Sequence, residues 1–201
     1  MLLKYWDATH TKGIGVDYET DEIDFFIDEL VDDIKTYAKV FTFNARLQGI
    51  FQEKKLLQDR KVISRIIADA TRAGNLVFFI EYGEHSCEWL HLYEKCPTPG
   101  LDSGCAGLIV VDRDKWKKVM QKIALKSIVF PCLKDKIEAI SSAINGWIYR
   151  CGLLDKDGKS FEESIGWGYL SEDDALNEAR AEHPECKYED DDFEVESTYT
   201  R

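Results

Sequence analysis

A chain of 201 residues that is 44% apolar and 32% charged, with a net charge of −12, has the make-up of a globular protein with a packed core. Only four prolines occur and no Pro- or Gly-rich linker interrupts the chain, which excludes a wholly disordered protein. No run approaches the ~20 apolar residues that span a bilayer. The opening Met1-Leu2-Leu3-Lys4-Tyr5-Trp6-Asp7 reaches an acid before any apolar stretch of signal-peptide length. These features predict a cytoplasmic protein whose six cysteines, Cys87, Cys96, Cys105, Cys132, Cys151 and Cys186, stay reduced. The charge is uneven: −6 over residues 1–39, +5 over 40–150 and −11 over 151–201.

Taken in chain order, residues 2–6 read as a first strand and Thr9 to Thr20 as a loop with Gly13 and Gly15. A helix opens at Thr20 or Asp21. Ile23, Phe26, Ile27, Leu30, Val31 and Ile34 form its apolar stripe, and Asp24, Asp28, Asp32 and Asp33 occupy the other face. Phe41 to Ala45 reads as a short strand. The spacing of Leu56, Ile63, Ile66, Ile67 and Ala70 predicts a helix over about Gln52 to Arg72, with Lys54, Lys55, Arg60, Lys61, Arg65 and Arg72 outside. Ala73-Gly74-Asn75 stops it. Leu76 to Ile80 is apolar throughout, as in a strand buried on both faces. Glu88 to Tyr93 is its neighbour, Cys96 to Gly107 a loop, and Leu108 to Val111 another buried strand. Asp112 or Asp114 caps a helix carrying Trp116, Val119, Met120 and Ile123, and a further helix spans Leu133 to Asn145.

The tail reads as β-β-α-β. Trp147 to Leu154 and Ser160 to Leu170 flank a three-residue hairpin loop, Lys156-Asp157-Gly158. That loop sets Leu153 opposite Phe161, Tyr149 opposite Ile165 and Trp147 opposite Trp167, with all six plus Tyr169 on one face. Ser171 is an N-cap with Asp174 as its capping-box partner. The helix from Glu172 to Glu182 turns Ala175, Leu176 and Ala179 to the hairpin and ends at His183-Pro184. Phe193 to Tyr199 alternates as a third strand. The expected fold is α/β (α+β), a mixed or antiparallel sheet with packed helices over 1–145, plus a small acidic β-β-α-β lobe over 146–201.

Trp147-Ile148-Tyr149-Arg150, Asp157-Gly158-Lys159, Gly168-Tyr169 and Asp173-Asp174-Ala175 resemble the small three-stranded arm-binding domains of phage integrases. The resemblance implies three strands and one helix over about a quarter of the chain. Those domains bind DNA through a basic sheet; the equivalent surface here is acidic, so DNA binding does not carry over.

One cluster has chemical promise. His85, Cys87, Cys96 and Cys105 are zinc-ligand types, but no Cys-x-x-Cys pair is present and the gaps match no zinc finger or ribbon. Cys87 or Cys105 with His85 or His91 as base would make a nucleophile. The glycine-rich stretch 100–107 lacks the Lys-Ser/Thr ending of a phosphate loop. Asp112 with Asp114, and Glu81 with Glu84, lie at the ends of buried strands, where paired carboxylates can hold magnesium, though helix capping explains the aspartates more simply. No cofactor is expected, with zinc as the alternative.

The acidic ends carry the functional expectation. Asp24, Asp28, Asp32 and Asp33, and Glu189, Asp190, Asp191 and Asp192, can imitate a phosphate track and steer association with a basic protein or nucleoprotein complex. Such composition resembles that of anti-CRISPR and anti-restriction inhibitors of phages and mobile elements. The alternatives are a toxin-immunity protein and a Cys/His thiol- or zinc-dependent enzyme. No direct nucleic-acid or membrane partner is expected.

Overall fold

The computed structural model describes residues 3–20 and 22–189, with the backbone alone at His85. The elements are β1 (Leu3–Trp6), β2 (Gly13–Tyr18), α1 (Ile23–Tyr37), β3 (Ala38–Thr42), α2 (Ala45–Ile50), α3 (Arg60–Arg72), β4 (Leu76–His85), β5 (Cys87–Tyr93), β6 (Ser103–Val111), α4 (Arg113–Met120), α5 (Lys126–Ala143), β7 (Tyr149–Leu154), β8 (Phe161–Tyr169), α6 (Glu172–Glu182) and β9 (Tyr188–Glu189). The fold is α+β with two sheets, both antiparallel. Among the described residues no helix is long and apolar enough to cross a membrane. Two compact units form, one of Asp24–Asn145 and one joining the residues up to Ile23 with those from Gly146 onward.

In the unit of Asp24–Asn145 the strand order is β3-β6-β4-β5. Strand β4 alternates: Leu76, Phe78 and Ile80 enter the main core with Val31, Ile34, Leu133 and Ile137. Val77 and Phe79 point the other way, onto Ile63, Ile66 and Ala70 of α3. Burial on both faces is why this strand reads as an unbroken apolar run. The basic helix is shorter than its expected span. Asn44 caps α2, its Oδ1 accepting from Arg46 N at 2.7 Å, and Asp59 caps α3, accepting from Lys61 N at 2.8 Å. The left-handed φ of Gln52 (49°) follows α2, so residues 52–59 form no helix. Helix α5 begins at Lys126 and contains Pro131, which has no N–H to donate to the Ser127 carbonyl.

In the other unit the order is β8-β7-β2-β1-β9, with α6 over one face. The sequence reading groups residues 1–145 together and treats 9–20 as a loop. Instead β2 is an interior strand, paired with β1 and β7. Ile14 and Val16 are fully buried against Ala175, Leu176 and Ala179. A glycine occupies the opposite face because Trp6 does: a Cβ on Gly13 would meet the Trp6 ring at 2.7 Å. The hydrophobic alternation is therefore present but half of it is written in glycine. Five strands form where the integrase-like pattern implies three.

The hairpin differs from expectation by one residue. Gly158 does take the left-handed conformation (φ 64°). However, Asp155 N donates to Ser160 O at 2.9 Å, so the loop has four residues and Leu154 opposes Phe161. The cause is Asp155, whose Oδ1 accepts from Asp157 N (3.1 Å) and Lys159 N (2.9 Å) and builds the wider turn. Register shifts at three places then return Tyr149, Leu153, Ile165 and Tyr169 to the α6 face. Phe161 leaves it and lies under the Arg150 guanidinium, 5.4 Å from the ring centroid. Trp167 opposes Arg150, and Trp147 precedes β7, 48% exposed. Helix α6 matches expectation, with Ser171 Oγ accepting from Asp174 N at 3.1 Å. Strand β9 pairs with β1; the expected strand Phe193 to Tyr199 lies outside the described residues.

Amide exchange checks β2: residues 14–17 should exchange at least 100-fold more slowly than an open loop, and loop-like rates there would overturn the assignment. The β1–β2 turn offers a second check. The Asp7 carboxylate accepts from Thr11 N (2.9 Å), Lys12 N and the Thr9 and Thr11 hydroxyls, which hold its pKa down to about 2, the Thr11 backbone bond contributing most. A carboxyl depressed in the folded state stabilises above its unfolded pKa, and that contribution fades as pH falls through the folded one. Carbon NMR of the Asp7 carboxyl should therefore titrate near pH 2; a midpoint in the ordinary aspartate range of ~3.9 would exclude this turn.

Candidate functional site

The acidic candidates separate once their surroundings are known. In α1, Val31, Ile34 and Tyr37 are buried and Ile27 and Leu30 pack beside them, which turns Asp24, Asp28 and Asp32 outward. All three are exposed, as is Glu29, which the sequence reading left out although it lies three residues before Asp32. Asp33 has another job: its carboxylate pairs with Lys136 of α5 at 2.9 Å. Asp28 accepts a hydrogen bond from Gln52 Nε2, a neutral group. Among the described residues, no lysine or arginine forms an ion pair with Asp24, Asp28, Glu29 or Asp32. Four carboxylates thus share about two turns of helix without local neutralisation. Like charges at i,i+4, here Asp24–Asp28 and Asp28–Asp32, each cost an isolated helix roughly 0.2–0.5 kcal/mol. Only Asp24 sits in the first turn, where the helix dipole offsets the cost.

The second acidic group divides differently. Glu189 lies in β9 opposite Tyr5 and accepts the Tyr5 hydroxyl at 3.1 Å. Asp190, Asp191 and Asp192 lie outside the described residues.

The Cys/His residues do not gather into one site: His91 and Cys105 lie on separate strands, and Cys96 lies in the loop between β5 and β6. Glu81 of β4 opposes His91 on β5 and Cys105 on β6, so a strand and a carboxylate stand between the thiol and the imidazole. Cys87 opposes His85, four residues farther along β4, or roughly 13 Å at the rise of a strand. Cys96 is exposed beside Cys105. Burial, then the neighbouring Cys96 and Glu81, push the Cys105 thiol up to about 12, the opposite of what a nucleophile needs. Burial likewise raises Cys132 and Cys151, and takes Cys186 to about 11. Among the described residues no three His, Cys, Asp or Glu side chains come together as metal ligands do.

The carboxylates considered for magnesium have structural work. Asp112 is the N-cap of α4, accepting from Asp114 N (3.0 Å) and Lys115 N (3.1 Å). Glu81, only 6% exposed, accepts from Ser103 Oγ at 2.9 Å, and burial and then this carboxylate raise the Tyr93 hydroxyl above its ordinary value. Glu84 bonds the Tyr82 hydroxyl. The glycine-rich stretch includes the start of β6, and Gly107 is required by packing: a Cβ there would lie 2.8 Å from Leu47 Cδ2 and from the Phe41 carbonyl.

No family model, curated protein or solved structure matches this chain.

Thiol labelling tests the geometry. With iodoacetamide at pH 7.5, Cys96 should react while Cys105, Cys151 and Cys186 stay unmodified in the folded protein. Alkylation of Cys105 faster than a free cysteine would restore it as a nucleophile.

Proposed function

We propose that this protein is a binding protein, an inhibitor or regulator that engages a basic and nucleic-acid-binding protein partner through the exposed acidic face of α1. The observation that supports this reading is the row Asp24, Asp28 and Asp32 with Glu29, exposed and without a cationic partner among the described residues. Asp28 and Asp32 gain little from the helix dipole and repel each other, so folding alone does not account for them. A row of carboxylates on one helix face offers a basic protein the charge that a phosphate backbone would, and it speeds encounter through long-range attraction. Inhibition of a defence or restriction complex is the form of this function that the composition favours, with neutralisation of a basic toxin by the same chemistry as the alternative.

The discriminating variant is Asp28→Asn with Asp32→Asn, which removes charge but keeps shape and the acceptor for Gln52. It should fold with equal or slightly raised stability, by up to ~0.5 kcal/mol for the relieved pair. Capture from a host lysate at low salt, eluted by rising salt, should return a nucleic-acid-binding protein with wild type and at least tenfold less of it with the variant. An identical set of captured proteins from both would sink the reading.

A further inference from the structure

The four-stranded sheet has two edges, and they are finished differently. At β5 the backbone is taken up by side chains of the α5 end: Leu90 N donates to Ser141 Oγ at 2.9 Å and Glu88 N to Asn145 Oδ1 at 3.2 Å. Asn145 Nδ2 returns a bond to the Glu88 carbonyl at 2.6 Å. The edge is thus capped against further pairing. At β3 the described residues supply one bridge, Thr42 to Leu56, with Leu57 N donating to Thr42 O at 2.8 Å.

That bond also reveals which backbone groups face outward. Tyr37 O accepts from Asp112 N and Phe43 N donates to Ala106 O, so the odd residues face β6. Thr42, and with it Val40 and Ala38, face away from the sheet. Ala38 and Val40 bury their side chains in the main core, yet both line a groove of about 620 Å³. At 7% and 4% exposed they form its floor, and their backbone groups are the ones directed to that side of β3. The α3 side chains Val62 and Ile66 line it too, as do Lys35, Lys39, Lys55 and Lys115. Lys35 is taken by Glu53 at 3.5 Å. Lys39, Lys55 and Lys115 have no carboxylate partner among the described residues.

We propose that the outer edge of β3 takes up an extended acidic segment of a partner protein as an added strand. The backbone of Ala38 and Val40 supplies the ladder, and alternate carboxylates of the guest meet Lys39, Lys55 and Lys115. Strand addition joins main-chain hydrogen bonding with side-chain selection, and the selection here is for negative charge. This surface has the opposite sign to the acidic face of α1 and does not depend on it.

The probe is a fluorescein-labelled nine-residue peptide of alternating glutamate and valine, acetylated and amidated at its ends. Its control carries N-methyl groups on alternate backbone nitrogens at unchanged charge. The plain peptide should bind, should slow exchange of the Val40 amide, and should bind at least tenfold better than the methylated one. Lys39→Glu with Lys115→Glu, both exposed positions, should weaken it at least tenfold, while Asp28→Asn with Asp32→Asn leaves it unchanged. Equal binding of both peptides, as a simple anion site would give, overturns strand addition. Absence of binding, or binding indifferent to the lysine substitutions, overturns the proposal as well.

Discussion

Strand β4 must bury side chains on both of its faces, and the unit of Asp24–Asn145 is arranged around that requirement. Leu76, Phe78 and Ile80 need one cover and Val77 and Phe79 another. Full burial of each such side chain is worth about 1.5–3 kcal/mol, so neither face is left wet. The main core, with α1, α4 and α5, closes one side and α3 the other. Strand β6, its neighbour, obeys the same rule: Ile109 and Val111 enter the main core while Leu108 and Val110 meet α3. A bulge between Ile80 and Glu81 marks where two-sided apolar burial gives way to Glu81, Cys105 and His91. The residues that first suggested catalysis occupy the stretch of sheet beyond the reach of α3.

The other unit depends on a tryptophan. Trp6 is 3% exposed, and its ring lies against the positions where Gly13 and Gly158 would carry a Cβ. Gly13 belongs to β2 and Gly158 to the β7–β8 hairpin loop, so one side chain from β1 ties together segments some 150 residues apart in the chain. On the opposite sheet face α6 packs Ala175, Leu176 and Ala179 against Ile14, Val16 and Cys151 and lays the Arg180 guanidinium over the Tyr5 ring, 4.3 Å from its centroid. The residues before α1 therefore complete a core whose remainder comes from the end of the chain.

Elements whose signal is local were legible in the sequence. Helix α6 declares its start with Ser171 and Asp174 and its end with Pro184, and it forms where expected. The stripe of α1 and the apolar runs of β4 and β6 were equally plain. What was hidden depends on partners distant in sequence. Gly13 belongs to a strand because Trp6 fills the space beside it, and no local pattern says so. The hairpin register turned on Asp155, whose carboxylate organises a wider loop than Gly158 alone requires. His91 and Cys105 are only 14 positions apart in sequence, but β4 runs between their strands. The place of β3 at the sheet edge follows from strand order, which nothing in the sequence reveals.

Charge is distributed along α1 in a way that the helix itself does not explain. Asp24 and Lys35 suit the positive and negative ends of the dipole. Asp33 is matched by Lys136. Asp28 and Asp32 have neither compensation, and the same holds for Lys39 and Lys115 beside the groove at the other end of the helix. Exposed charges left unpaired cost little on their own, since surface ion pairs contribute only about 0–1 kcal/mol. Their sorting by sign is the informative part. Random surface variation mixes signs, whereas here carboxylates line the outer face of one helix, and Lys39, Lys55 and Lys115 gather at the β3 groove, where among the described residues Glu53 is the one carboxylate and is matched by Lys35. The helix that carries the acidic row also sends Val31, Ile34 and Tyr37 into the core, so the position of that row is fixed by the packing beneath it.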